Sequence, residues 1–194
     1  MNLPANAPRH IDAIAIGTSA GGLEALSVLV SGLEAGFRLP LLVVQHVPPS
    51  GPTQLAEIFQ RKTGLRVKEA DEKEPIEGGT LYFAPPGYHL LVEQDRTLSL
   101  SQDEPVHFSR PSIDVLFESA ADAWGSAVGG VLLTGANEDG AAGLEAIHLA
   151  GGLTVVQDPA EAEIDTMPRA ALQRFTPDHV LPLRRIAQLL RSLE

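Results

Sequence analysis

Residues 11–22 read IDAIAIGTSAGG, a short β-branched run that stops at Gly17 and delivers Ser19 into a glycine-rich bend. Residues 11–16 have the length and apolarity of a buried strand. Leu23, Leu26, Val30 and Leu33 follow at helical spacing, which predicts an amphipathic helix from Gly22 to Ala35, ended near Gly36. A strand, glycine bend and helix in this order either holds an anion on free N–H groups or lifts a nucleophile above the sheet. The bend lacks the GK[ST] of a P-loop, and Ser19 stands where the second glycine of G-x-G-x-x-G belongs. Nucleotide binding is therefore the weaker alternative.

Outward from this unit the chain repeats the alternation. Leu39–Gln45 reads as a second buried strand before His46, PPSGP forbids regular structure after it, and residues 53–62 form a helix. Residues 65–70 suit a third strand. Residues 80–84, 88–92 and 97–101 are short strands that read as an antiparallel portion. Ser112 caps a helix whose Ile113, Leu116, Phe117, Ala120, Ala121 and Trp124 keep i, i+3, i+4 spacing up to Gly125. Residues 127–133, 153–157 and 179–181 are further strands, with helices at 141–150, 168–175 and 183–193. Strands alternating with helices imply an α/β fold: a doubly wound, mainly parallel sheet covered on both faces, with an antiparallel hairpin portion.

The 194 residues suit one domain, 11–194, preceded by a flexible leader over residues 1–10. Values of 44 % hydrophobic and 20 % charged residues are those of a globular protein. The net charge of −11 disfavours nucleic acid and anionic membrane surfaces as partners. Arg184, Arg185 and Arg191 read as the solvated face of a terminal helix. The absence of cysteine excludes disulfides, thiolate metal sites and a cysteine nucleophile. No signal-like N-terminus is present, and no run reaches the roughly 18 apolar residues of a membrane span. A cytoplasmic protein without membrane insertion is expected.

In open α/β sheets, ligands and catalytic groups gather outside the carboxyl ends of the strands. Three strands here end in a group capable of chemistry: Ser19, His46 and Asp139. A serine hydroxyl is a poor nucleophile until an imidazole takes its proton, and a carboxylate orients the imidazole and stabilises its cation. Backbone N–H groups near Ser19 suit a developing oxyanion, each contributing about 3–4 kcal/mol in enzymes of this type. Each residue also has a plainer role: Ser19 as a helix cap, His46 as a loop residue, Asp139 as a turn or N-cap. The three together favour chemistry. Among the other histidines, His89, His107, His148 and His179 lack metal-ligand spacing with one another, so no metal site is expected, and no cofactor is expected either.

Gly17-Thr18-Ser19-Ala20-Gly21 also matches the G-x-S-x-G elbow of α/β-hydrolases. Their order is serine, acid, histidine, whereas this chain runs serine, histidine, acid.

The pieces IGTSAGG, VVQHVPP, LYFAPPGYHLLV, RPSIDVLFESAA, VLLTGANEDGAAG and VVQDPAEAEIDTMPRAAL resemble, in order over roughly residues 11–182, the catalytic domain of the CheB-type chemotaxis receptor methylesterases. The resemblance implies a three-layer α/β/α domain with Ser19 as nucleophile, His46 as general base and Asp139 as orienting acid. It implies oxyanion donors at the N–H groups of Ala20 and Ala136, and it assigns Arg110 and Met167 to the substrate cleft. The implied reaction is hydrolysis of glutamyl methyl esters on the cytoplasmic helices of methyl-accepting receptors, with glutamine deamidation by the same route.

Two departures from the pattern carry expectations. The family's usual N-terminal receiver domain has no counterpart before the first strand, which leaves three readings open: a stand-alone paralogue, a chain served by a receiver domain or methyltransferase in trans, or an excised domain. Where the family has glycine-methionine-glycine in the acid loop, this chain has Gly135-Ala136-Asn137, and the tolerance of asparagine for positive φ is expected to preserve the loop. Glu138 is expected to add a second negative charge near His46. The alternatives are a serine esterase or amidase with another substrate, and an inactive signalling or interaction domain of the same fold.

Overall fold

The computed structural model describes residues 9–33, 36–47 and 53–193. The strands are β1 Ala13–Thr18, β2 Leu41–Gln45, β3 Arg66–Glu69, β4 Thr80–Phe83, β5 His89–Val92, β6 Leu98–Ser101, β7 Val128–Leu132, β8 Leu153–Gln157 and β9 His179–Leu181. The helices are α1 Gly22–Ser31, α2 Leu55–Gln60, α3 Ile113–Trp124, α4 Ala141–Leu149, α5 Thr166–Arg174 and α6 Leu183–Arg191. Seven strands form one sheet in the order β3-β4-β2-β1-β7-β8-β9, and every pairing in it is parallel. β5 and β6 pair antiparallel as a separate hairpin.

The order dictates where a site can form. The chain winds outward from β1 through β2 on one side, then returns to place β7 against the other edge of β1. Loops leaving β1 and β7 diverge to opposite faces there, which opens a crevice at the carboxyl edge.

Side-chain alternation along the strands divides the core in two. Ile14, Ile16, Leu41, Val43, Phe83 and Val155 pack with residues of α1, α2 and α6. Ala13, Ala15, Leu42, Val44, Tyr82 and Val156 pack with residues of α3, α4 and α5 and with the hairpin. The resulting three layers agree with the expected architecture. Alanines on the second face let α3 approach closely, and a Cβ on Gly17 would collide with the Ile113 side chain.

Two readings of local structure need correction. The sequence pattern puts residues 80–84 in an antiparallel portion with residues 88–92, yet β4 lies between β3 and β2 in the parallel sheet. All four of its residues are buried, as a strand covered on both faces requires, and the PPG that follows carries the chain away to the hairpin. α5 begins at Thr166, ahead of the expected start at Pro168. The proline sits in the first turn, where its missing N–H has no intrahelical partner to lose.

The predicted end of α1 at Ala35 lies outside the described residues, as do PPSG after Val47 and residues 1–8 of the leader; α1 itself ends at Ser31, with the Gly32 N–H bonded to Leu29.

Candidate active site

Ser19 leaves the sheet directly after β1, and its place is fixed through the backbone. Its N–H donates to the Thr134 carbonyl after β7 (3.0 Å), and the Gly22 N–H donates to its carbonyl (2.9 Å). Between them Gly21 takes φ 78°, a left-handed conformation that makes the sharp turn into α1. Gln45, the buried last residue of β2, donates through Nε2 to the carbonyls of both Ser19 (3.0 Å) and His46 (2.9 Å). One amide thus ties the serine loop to the histidine loop.

His46 bridges the other two groups. Its Nδ1 lies 3.1 Å from Ser19 Oγ and its Nε2 lies 2.7 Å from Asp139 Oδ2. The carboxylate accepts the Nε2 proton, which leaves the Nδ1 lone pair facing the serine hydroxyl.

Asp139 is fully buried and holds four hydrogen bonds. Oδ2 accepts from His46 and from the Ile113 N–H (2.7 Å), and Oδ1 accepts from the Ser112 hydroxyl (2.8 Å) and the Asp114 N–H (3.0 Å). Two of these donors are free N–H groups at the start of α3, where the helix dipole favours a negative charge. Burial alone pushes the Asp139 carboxyl up, but the bonds from His46, Asp114 and Ile113 outweigh it and hold the pKa below its ordinary value.

The N–H groups of Ala20 and Ala136 make no hydrogen bond among the described residues, and both residues are exposed. Arg110 lines a cavity of about 260 Å³ together with His46, Val47 and Pro111. Its Nη1 donates to the carbonyls of Gln102 (2.8 Å) and Asp103 (3.0 Å), which braces the segment ahead of α3.

Two sequence expectations, for Met167 and for Asn137, are corrected. Met167, assigned to the cleft, is completely buried: it packs beneath Gly135, and its N–H donates to the Gly135 carbonyl (3.0 Å). It supports the acid loop from below. Beside it, Glu138 makes an ion pair with His107 (3.5 Å). Asn137 is not among the residues with positive φ; instead its side chain accepts from the Asp139 N–H (3.2 Å), an Asx-type turn that stabilises the loop.

Gln45, Thr134, Asp114 and the second bond of Ser112 were not anticipated from the sequence. Gln45 and Thr134 carry one signal in retrospect, since each is polar at the carboxyl end of a buried run. Among the described residues, no group of three or more His, Asp or Glu side chains is placed to hold a metal ion. No helix among them is long and apolar enough to cross a membrane.

A buried carboxylate, an imidazole and a serine hydroxyl joined in series at the switch point of a parallel sheet define the architecture of a serine hydrolase on an α/β/α fold. The family model described as CheB methylesterase matches residues 14–190, and the chain belongs to that family. A Leptospira interrogans protein provisionally named protein-glutamate methylesterase/protein-glutamine glutaminase is 48 % identical over 185 residues, covering 95 % of this chain and 96 % of the relative. A protein-glutamate methylesterase/protein-glutamine glutaminase of Methanosarcina acetivorans is 40 % identical over 94 % of this chain, which spans 52 % of that relative. The crystal structure of the Thermotoga maritima CheB methylesterase catalytic domain superposes with a TM-score of 0.90 at 29 % identity, covering 95 % of this chain and 99 % of that one.

Proposed function

We propose that the protein hydrolyses γ-methyl esters of glutamate side chains on a protein substrate, and deamidates glutamine by the same route. The observation that carries this reading is the continuous relay from Ser19 through His46 to Asp139, at 3.1 and 2.7 Å.

In the first half-reaction Ser19 Oγ attacks the ester carbonyl while His46 Nδ1 accepts its proton. Asp139 stabilises the imidazolium through Nε2 without taking the proton itself. The free N–H groups of Ala20 and Ala136 are the donors available to the oxyanion of the tetrahedral intermediate. Collapse breaks the bond to methoxide, which leaves as methanol with the proton from His46, and a glutamyl ester of Ser19 remains. Water activated by His46 then attacks that ester and releases the glutamate side chain. With glutamine, ammonia leaves in place of methanol.

The substrate in this reading lies on the cytoplasmic helices of methyl-accepting chemotaxis receptors, with a receiver domain or methyltransferase as a partner in trans; membership of the methylesterase family supports it. Cytoplasmic residence belongs to the same reading.

The test is release of labelled methanol from a methylated receptor fragment. Wild type releases it, and Ser19→Ala and His46→Ala reduce the rate by at least about a thousandfold. Release by Ser19→Ala at the wild-type rate would overturn the mechanism.

A further inference from the structure

The segment that walls the cavity beside His46 contains a two-residue turn of unusual composition. Val106 and Ser109 exchange both backbone hydrogen bonds, N–H to carbonyl at 3.1 and 2.8 Å. His107 and Phe108 between them take φ 48° and 61°. Positive φ at both central positions is the type I′ pattern, which favours Asn-Gly and disfavours bulky side chains.

His107 has an internal reason to accept that conformation. Its Nε2 lies 3.4 Å from Asp114 Oδ2 and its Nδ1 3.5 Å from Glu138 Oε1, so the imidazole sits between two carboxylates of the α3 and α4 region. Phe108 has none. Its ring is fully exposed. A single exposed apolar residue is ordinary on a protein surface. Phe108 differs because its left-handed backbone is unfavourable, no ring contact or hydrogen bond among the described residues compensates, and it lines the cavity of about 260 Å³ that His46 also lines. The other walls there include Val47, Pro105 and Pro111, all apolar, and the Arg110 guanidinium anchors the base of the segment through Gln102 and Asp103.

We propose that Phe108 is a specificity-determining residue for the protein substrate: with Val47, Pro105 and Pro111 it receives an apolar side chain of the polypeptide next to the reacting glutamyl ester. The proposal rests on the methylesterase reading and extends it to how the polypeptide around the ester is chosen. The cavity opens beside the imidazole, so a side chain seated in it holds the ester within reach of Ser19. The turn keeps the ring out of the protein's own core and available to that side chain.

The experiment uses two synthetic helical peptides, each with one glutamate γ-methyl ester, one carrying leucine four residues away and the other alanine there. KM is measured for hydrolysis by wild type, Phe108→Gly and Phe108→Leu. Affinity is measured in parallel by fluorescence anisotropy on the Ser19→Ala background.

Wild type prefers the leucine peptide by about tenfold in KM and in affinity, the scale of one apolar anchor. Phe108→Gly reduces that preference to within about twofold, and Phe108→Leu keeps most of it. Glycine suits the turn, so the same variant melts at or above the wild-type temperature. A role confined to the turn would shift both peptides equally and leave the preference intact, which overturns the proposal. So does a wild type that does not distinguish the peptides in affinity. Absence of hydrolysis with a preference retained in anisotropy contradicts the methylesterase reading while upholding Phe108 as the docking residue.

Discussion

Two buried aspartates sit back to back in this protein, and their electrostatics run in opposite directions. Asp139, in the loop before α4, accepts N–H bonds from Ile113 and Asp114 at the start of α3. Asp114, in the first turn of α3, accepts N–H bonds from Gly140 (2.9 Å) and Gly143 (2.6 Å) at the start of α4. Each carboxylate thus holds the beginning of the other's helix. Yet Asp139 lies below its ordinary pKa while Asp114 is raised, by burial first, with the neighbouring charge of Asp139 adding to it against the bonds from the glycines.

The histidine partners separate the two cases. His46 bonds Asp139 at 2.7 Å inside the site, whereas His107 stands 3.4 Å from Asp114 and shares itself with Glu138. A direct bond from the imidazole, added to helix N–H groups and the Ser112 hydroxyl, keeps a fully buried carboxylate ionised. A helix N-terminus alone therefore does not secure a buried charge here.

The largest effect expected from breaking this asymmetry is catalytic. Asp139→Asn should lower kcat by about 10⁴-fold, because an amide presenting its NH₂ to Nε2 favours the wrong imidazole tautomer. Asp114→Asn should stay within about tenfold of wild type, since its amide oxygen still accepts the glycine N–H groups. Equal losses in steady-state assays of the two variants would contradict the assigned difference in roles.

The next effect concerns stability. Ser112→Ala removes both the hydroxyl bond to Asp139 and the cap on Val115, and should destabilise the fold by roughly 1–2 kcal/mol in urea titrations. A change below about 0.3 kcal/mol would mean that the helix N–H groups suffice to hold Asp139.

The smallest effect is the pH dependence of unfolding. Asp139 has a lowered folded pKa, so its contribution is fully present above the ordinary aspartate value of about 3.9 and is lost as pH falls through the folded one. Asp114 has a raised folded pKa, so its ionisation reduces stability as pH rises through the window above its unfolded value. Stability of Asp114→Asn relative to wild type should therefore improve between pH 4 and pH 7. A difference independent of pH would remove the distinction between the two carboxylates.

How much of this was legible in the sequence depends on whether the information was local. β1, β2 and β7 end their apolar runs at a glycine bend, a histidine and an acidic turn, and that pattern was enough to select the three residues the structure joins. α3 was readable because its apolar spacing and Ser112 agree. The partners of β4 were not, since TLYF carries nothing that specifies which strand lies beside it. Asp114 reads as an ordinary acidic residue in a helix's first turn. Its burial follows from the close approach of α4, where a Cβ on Gly143 would lie 2.9 Å from Asp114 Cα. Met167 was assigned to the cleft because of the motif that contains it; only the packing against Gly135 reveals it as a support. Gln45 works by reaching two carbonyls at once, and its place at the end of an apolar strand gives no sign of that reach.

The role of Ser19 as nucleophile is tested by a rapid-quench single turnover with a glutamyl methyl ester peptide, followed by mass spectrometric mapping of the quenched protein. A glutamyl adduct should appear on the peptide containing Ser19, formed in step with one equivalent of methanol and absent from Ser19→Ala. Methanol released at the same rate with no adduct on Ser19, and undiminished in Ser19→Ala, would contradict it.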